Sequence, residues 1–127
     1  MYDVFTQRRM IPIYNRYGRA VAWLDGRFIR DLKGPTVAFI RGEHVYTVRG
    51  IHVGYFQSGY FRDQVGAAVA FIDSAEGNPR LPLPGPTPEA PPAWPSPPVI
   101  SIPSAVPDPP QPKARWSELD WSRFVMS

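Results

Sequence analysis

A glycine recurs every sixteen residues. Gly18, Gly34, Gly50 and Gly66 each stand sixth in the units "IYNRYGRAVAWLDGRF" (13–28), "IRDLKGPTVAFIRGEH" (29–44), "VYTVRGIHVGYFQSGY" (45–60) and "FRDQVGAAVAFIDSAE" (61–76), with no insertion between them. Each glycine is followed three residues later by valine, at Val21, Val37, Val53 and Val69. A fixed period means one supersecondary unit used four times, and this one is too short for a leucine-rich or ankyrin solenoid.

Each unit reads as a β-hairpin. Asn15, Asp31 and Asp63 stand three residues before the glycine, as in a type I turn with a bulge, so the four glycines are structural turn residues. Thr47 takes that place in the third unit and predicts a weaker turn. A second turn is expected near Asp25-Gly26, Arg41-Gly42 and Ser58-Gly59, the third unit carrying its glycine one residue later. Strands of about five residues then make eight antiparallel strands.

Alternation assigns the faces. Ala22/Leu24, Ala38/Ile40, Gly54/Phe56 and Ala70/Ile72 share one face with Ile13, Ile29, Val45 and Phe61, and it is wholly apolar. The other face is mixed: Val21/Trp23, Val37/Phe39, Val53/Tyr55 and Val69/Phe71, with Tyr14, Arg30, Tyr46 and Arg62. An open sheet would leave raw edges and an apolar face in water. The expected fold is therefore all-β: four hairpins in a pseudo-fourfold shallow barrel, apolar face inside. The competing arrangement is an open sheet that dimerises face to face.

These features resemble the 4-fold β-flower family. Gly-x-x-Val-Ala-aromatic-Leu/Ile, spaced by sixteen and ending in "HVGYFQSGYFRD", carries the resemblance over residues 13–74. It implies a bacterial, fourfold-symmetric barrel with an apolar central channel. Through fold-level analogy with Tubby-type and scramblase-type barrels, it also implies a route to lipid. It carries over no catalytic residues.

Proline bounds the rest. Fifteen of the seventeen prolines fall between Pro79 and Pro112, and proline neither continues a helix nor donates to a central strand. The chain is read as an N-terminal segment with room for an extra strand (1–12), the barrel (13–74), a disordered Pro-rich linker (75–112) and a C-terminal aromatic motif (113–127). The linker's P-x-x-P spacings fit an SH3-type ligand, but a semi-rigid spacer is the simpler account. In "WSELDWSRFV", Ser117 and Asp120 resemble a capping box. Trp116, Leu119 and Phe124 are expected on one helical face, with Trp121 elsewhere on the wheel. Two readings stay open: the motif docks on its own barrel as a lid or plug, or a protein partner or membrane captures it.

Chemistry is sparse. There is no cysteine, and two histidines at different repeat positions, His44 and His52, give no metal site. No cofactor is expected. Asp31 and Asp63 are accounted for as turn formers. Arg30 and Arg62 beside aromatics would suit single-stranded nucleic acid or local cation–π pairs. A net charge of +3 is too slight for strong phosphate binding, so nucleic acid is disfavoured. No apolar run spans a bilayer and no signal peptide precedes the repeats. The expected place is the cytoplasm, with peripheral membrane contact allowed. The expected function is non-enzymatic binding of lipid or another apolar ligand at Leu24, Ile40, Phe56, Ile72, Ala22, Ala38, Gly54 and Ala70. The alternative is an adaptor that recruits a protein through its Pro-rich tail and Trp116, Leu119, Trp121 and Phe124. Whether the interior is filled or an open channel stays undecided at this point.

Overall fold

In the computed structural model, residues 10–91 and 108–126 are described. Eight strands run β1 (Met10–Asn15), β2 (Ala20–Asp25), β3 (Phe28–Asp31), β4 (Thr36–Arg41), β5 (His44–Thr47), β6 (His52–Gln57), β7 (Tyr60–Arg62) and β8 (Ala68–Phe71). They form a closed antiparallel meander in sequence order. A single short helix, α1 (Trp121–Met126), follows among the described residues. The first strand starts at Met10, so the proposed boundary at residue 12 falls inside β1; residues 1–9 lie outside the described residues.

The glycine turns form as the spacing predicts. The amides of Gly18, Gly34, Gly50 and Gly66 donate to the carbonyls of Asn15, Asp31, Thr47 and Asp63. Side-chain oxygens reinforce three of the turns at 2.8–3.1 Å: Asn15 Oδ1 accepts from Tyr17 and Arg19, Asp31 Oδ1 from Lys33 and Gly34, and Asp63 Oδ1 from Val65 and Ala67. Thr47 Oγ1 makes the same contacts at 3.3 Å, the weaker turn expected of it. These four turns define the lower end of the barrel.

The upper end carries two-residue loops at 26–27, 42–43 and 58–59, since Asp25 pairs with Phe28, Arg41 with His44 and Gln57 with Tyr60. The loops are in register across the repeats, which corrects the apparent one-residue offset. Gly26 and Gly42 have positive φ at the first loop position, whereas Ser58 and Gly59 are both positive. The glycine moves because the turn type changes from II′-like to I′-like.

Four β-bulges separate the structure from a plain alternation. Ile13 pairs with Ala22 but Tyr14 with Ala20, which leaves Val21 unpaired. The same skip occurs at Val37, Val53 and Val69. Each valine is thereby turned inward, and all four pack with the interior cluster. Their assignment to the outer face is overturned. A bulge bends and twists its strand, so one at every repeat favours closure.

The outer aromatic row is not a solvent face either. Trp23, Phe39, Tyr55 and Phe71 are buried, as are Arg30 and Arg62. Neighbouring rings cover one another: Phe39 stacks on Tyr46 at 5.3 Å and Tyr14 meets Phe71 at 5.5 Å.

The closing seam is thin, because β1 and β8 pair through only Tyr14–Phe71 and Asn15–Ala70. The Pro-rich segment covers it. Tyr60 Oη donates to the Pro79 carbonyl, Tyr14 Oη meets Thr87 Oγ1 at 3.1 Å, and the Gly85 amide donates to the Gly18 carbonyl. Leu81 and Ala75 pack on Tyr14, Tyr60 and Phe71. The expectation of a disordered spacer from residue 75 is therefore corrected for residues 75–87, whose contacts seat them on the barrel. Residues 92–107, including much of the P-x-x-P run, lie outside the described residues.

Candidate functional site

The repeat places large against small inside the barrel. Ile13, Ile29, Val45 and Phe61 pair directly with Ala22, Ala38, Gly54 and Ala70. Toward the upper end, Leu24, Ile40, Phe56 and Ile72 complete the interior. Leu24 and Ile72 are buried, while Ile40 and Phe56, with Ile11, are half-buried and ring the upper mouth. All eight interior positions read from the sequence thus lie in one packed apolar interior around the barrel axis.

The chain's own C-terminus enters that space from the lower end. Residues 113–117 first run beside the seam. The Lys113 amide donates to the Gly66 carbonyl, the Ala68 amide to Arg115, and the Ser117 amide to Ala68, forming a parallel bridge beside β8. Ser117 Oγ donates to Asp63 Oδ2 and accepts from the Leu119 amide at 3.0 Å. Asp120 caps α1, its Oδ1 accepting from the Arg123 amide at 2.9 Å. Ser117 is therefore an anchor to the barrel, and the cap is one turn further on than the sequence suggested.

A six-residue helix is marginal alone, so its packing holds it. Phe124 is fully buried and Trp121 nearly so. Trp121 meets Phe61 edge-on at 5.4 Å and Phe124 at 5.6 Å, and Phe61 meets Phe56 at 4.6 Å. A continuous aromatic run thus fills the axis from the lower end toward the upper mouth. Trp116 precedes the helix and lies outside the barrel near Phe71, at 6.2 Å, and Leu119 is exposed. The expected grouping of Trp116, Leu119 and Phe124 is replaced by Trp121 with Phe124. Of the two open readings for the motif, docking on its own barrel is the arrangement present.

Arg62 ties the tail down. Its Nη1 donates to the carbonyls of Gly66 and Lys113 at 2.9 Å, its Nη2 to that of Asn78, and its guanidinium lies 4.7 Å from the Tyr60 ring centroid. Burial depresses its pKa, opposed by Tyr60 and Asp63 beside it. Arg30, its counterpart two repeats earlier, instead pairs with Asp25 at 3.2 Å and donates to the Gly34 carbonyl at 2.7 Å. Both arginine side chains are buried and hydrogen-bonded within the chain, so neither presents its guanidinium on an open face.

His44 and His52 come together, which their different repeat positions concealed. His44 Nδ1 and His52 Nε2 are 3.2 Å apart, Gln64 Nε2 lies 3.0 Å from His52 Nδ1, and Tyr46 and Tyr55 flank the pair. The bulge at Val53 sets His52 opposite Tyr46 and so beside His44. Among the described residues no group of three or more His, Cys, Asp or Glu could hold a metal ion.

Burial, then the neighbouring His44, lowers the His52 pKa below its ordinary value. The unfolded chain thus binds the proton more readily. The contribution is present above about pH 6.5 and is lost as pH falls through the lower folded-state value. The His52 contribution to thermal stability is expected to be constant from neutrality to mildly alkaline pH and to fall away below about pH 6.5. His52→Gln should flatten that limb; an equal slope in the variant would assign it to other groups.

No helix among the described residues is long and apolar enough to cross a membrane. The family model of the 4-fold beta flower protein matches residues 11–125. The match extends past the repeats, through the Pro-rich segment and into α1. No curated protein and no solved structure matched the chain.

Proposed function

Because the chain belongs to the 4-fold beta flower family, and the matched region includes α1 as well as the barrel, we propose a non-enzymatic binding module. Its ligand is an apolar group, a lipid acyl chain foremost, bound along the barrel axis at a membrane surface. In the free protein Trp121 and Phe124 occupy that site. The observation that carries the reading is the burial of Phe124 against Gly54, inside an otherwise strand-built apolar ring. A side chain delivered by a separate six-residue helix is more easily withdrawn than one on a paired strand. Half-buried Ile11, Ile40 and Phe56 leave the upper mouth apolar and accessible.

The adaptor alternative draws less support, since the place of Trp121 and Phe124 inside the barrel accounts for both side chains without a protein partner.

The test is uptake of a fluorescent fatty acid by the full chain and by Phe124→Ala. Removing the ring should raise affinity at least tenfold, because ligand no longer competes with the chain's own side chain. No uptake by either protein, with the variant shown to be folded by its β-sheet circular dichroism, would sink the proposal.

A further inference from the structure

The described residues include seven exposed large hydrophobics, and they are not scattered. Tyr17, Leu32, Ile51, Val65, Leu119 and Met126 all lie at the lower end, on the glycine turns or the α1 segment; Leu83 belongs to the Pro-rich segment, whose backbone passes against the Gly18 turn. Isolated exposed apolar residues are ordinary, but a group collected at one end marks an interaction surface. Between α1 and the lower ends of β4 and β5 a groove of about 400 Å³ adds Val37, Val48 and Val125 to the same surface.

Cations interleave with these residues. Arg16 and Arg19 flank the first turn, Lys33 follows Leu32, and Arg49 follows Val48, all four exposed. The Arg16 guanidinium lies 5.6 Å from the Tyr17 ring centroid. The turn carboxylates do not offset them from outside: Asp63 is buried, and Asp31 is half-buried and accepts from its own turn amides. On the α1 segment exposed Glu118 and Asp120 are matched by exposed Arg115 and Arg123, so the cationic excess rests on the four turn residues. The upper loops contrast. Exposed Arg27 and Arg41 are balanced there by exposed Glu43, Asp73 and Glu76, and no exposed large hydrophobic stands among them.

We infer that the lower end of the barrel docks on an anionic lipid bilayer. Short apolar tips on separate turns would each enter the headgroup layer, while the cations beside them meet lipid phosphates and carboxylates. A second copy of the chain would set cation against cation. A groove-binding peptide would leave the tips of Tyr17 and Leu32 unused. This surface lies outside the barrel axis and does not depend on the axial ligand.

The test is co-sedimentation of the full chain with phosphatidylcholine vesicles, with and without phosphatidylserine. Binding is expected only with phosphatidylserine and should weaken as salt is raised. Replacing Lys33 and Arg49 by Gln should reduce it by about fivefold per cation. Replacing Tyr17 and Ile51 by Ser should reduce it about tenfold or more without changing its salt dependence. All four positions are exposed, so folding is not at stake. No binding, equal binding to both vesicle types, or full binding by both variants would overturn the inference. So would a concentration-dependent dimer that Ile51→Ser abolishes, because a second copy would then cover the surface. Fatty-acid uptake by Phe124→Ala is a separate readout, so either idea can fail alone.

Discussion

Replacing Arg62 with leucine is expected to lower the stability of the full chain by about 3–4 kcal/mol and to free the tail from the barrel. Leucine keeps part of the apolar stem but donates nothing. The carbonyls of Gly66, Asn78 and Lys113 then lose a charged donor at once. A buried acceptor without its partner costs about 1–3 kcal/mol; here each loss lies toward the low end, because Gly66 keeps the Lys113 amide as a donor and water can reach the carbonyls of exposed Asn78 and Lys113. Two of the three carbonyls belong to the tail, one from each side of the undescribed stretch 92–107, so the loss should appear as tail release. Arg62→Lys should recover only part of it, because a point charge cannot reach three acceptors in different directions. Arg30→Leu provides the contrast: its partners Asp25 and Gly34 lie within the barrel, so the barrel weakens while the contacts that Arg62 makes to the tail are kept. Thermal melts combined with limited proteolysis of residues 108–126 separate the two outcomes. An unchanged melt with a protected tail in Arg62→Leu would remove this account of how the tail is held.

The role of Arg62 also shows what could not be read along the chain. Its position beside aromatic residues suggested an exposed cation, because local alternation places it on the outer face. That placement is right; its burial comes from Asn78 and Lys113, and the latter is 51 residues away. Local pattern cannot reveal a cover supplied by a proline-rich segment that lacks any periodicity. The valine bulges were hidden for another reason. Val21 and Ala22 are both apolar, so a one-residue shift of register leaves no mark in the hydrophobic pattern. The barrel itself was legible because turn chemistry and alternation agree at every repeat: Asn15, Asp31 and Asp63 with their glycines, and an unbroken apolar face from Ile13 to Ile72. The eight axial positions followed from the same parity and do share one packed interior. What fills that space was missed in detail, because the helical wheel was started at Trp116. The helix begins at Trp121, after the Asp120 cap, so Trp116 was never on that wheel.

Gly54 gives the second large effect, and there the repeat and the structure predict opposite signs. The other three units carry Ala22, Ala38 and Ala70 at this place. Gly54→Ala therefore restores the repeat, and replacing a strand glycine commonly stabilises by about 0.5–1 kcal/mol. The packing says otherwise. A Cβ on Gly54 would collide with the backbone carbonyl oxygen of Arg62 and lie 2.6 Å from Phe124 Cε1. The ring can retreat, but the carbonyl belongs to β7, whose register is set by Tyr55–Arg62, Phe56–Phe61 and Gln57–Tyr60. Gly54→Ala is thus expected to cost about 2 kcal/mol, and Gly54→Val about 3–4 kcal/mol, as overpacking in a closed core. The double variant with Phe124→Ala should be less destabilised than the sum of the singles, because one of the two collisions is removed. It should not be fully relieved, because the Arg62 carbonyl remains. If Gly54→Ala instead raised the melting temperature, β6 and β7 would have to stand further apart than their pairing implies. The axial position of Phe124 would then need a different support from the glycine it rests on.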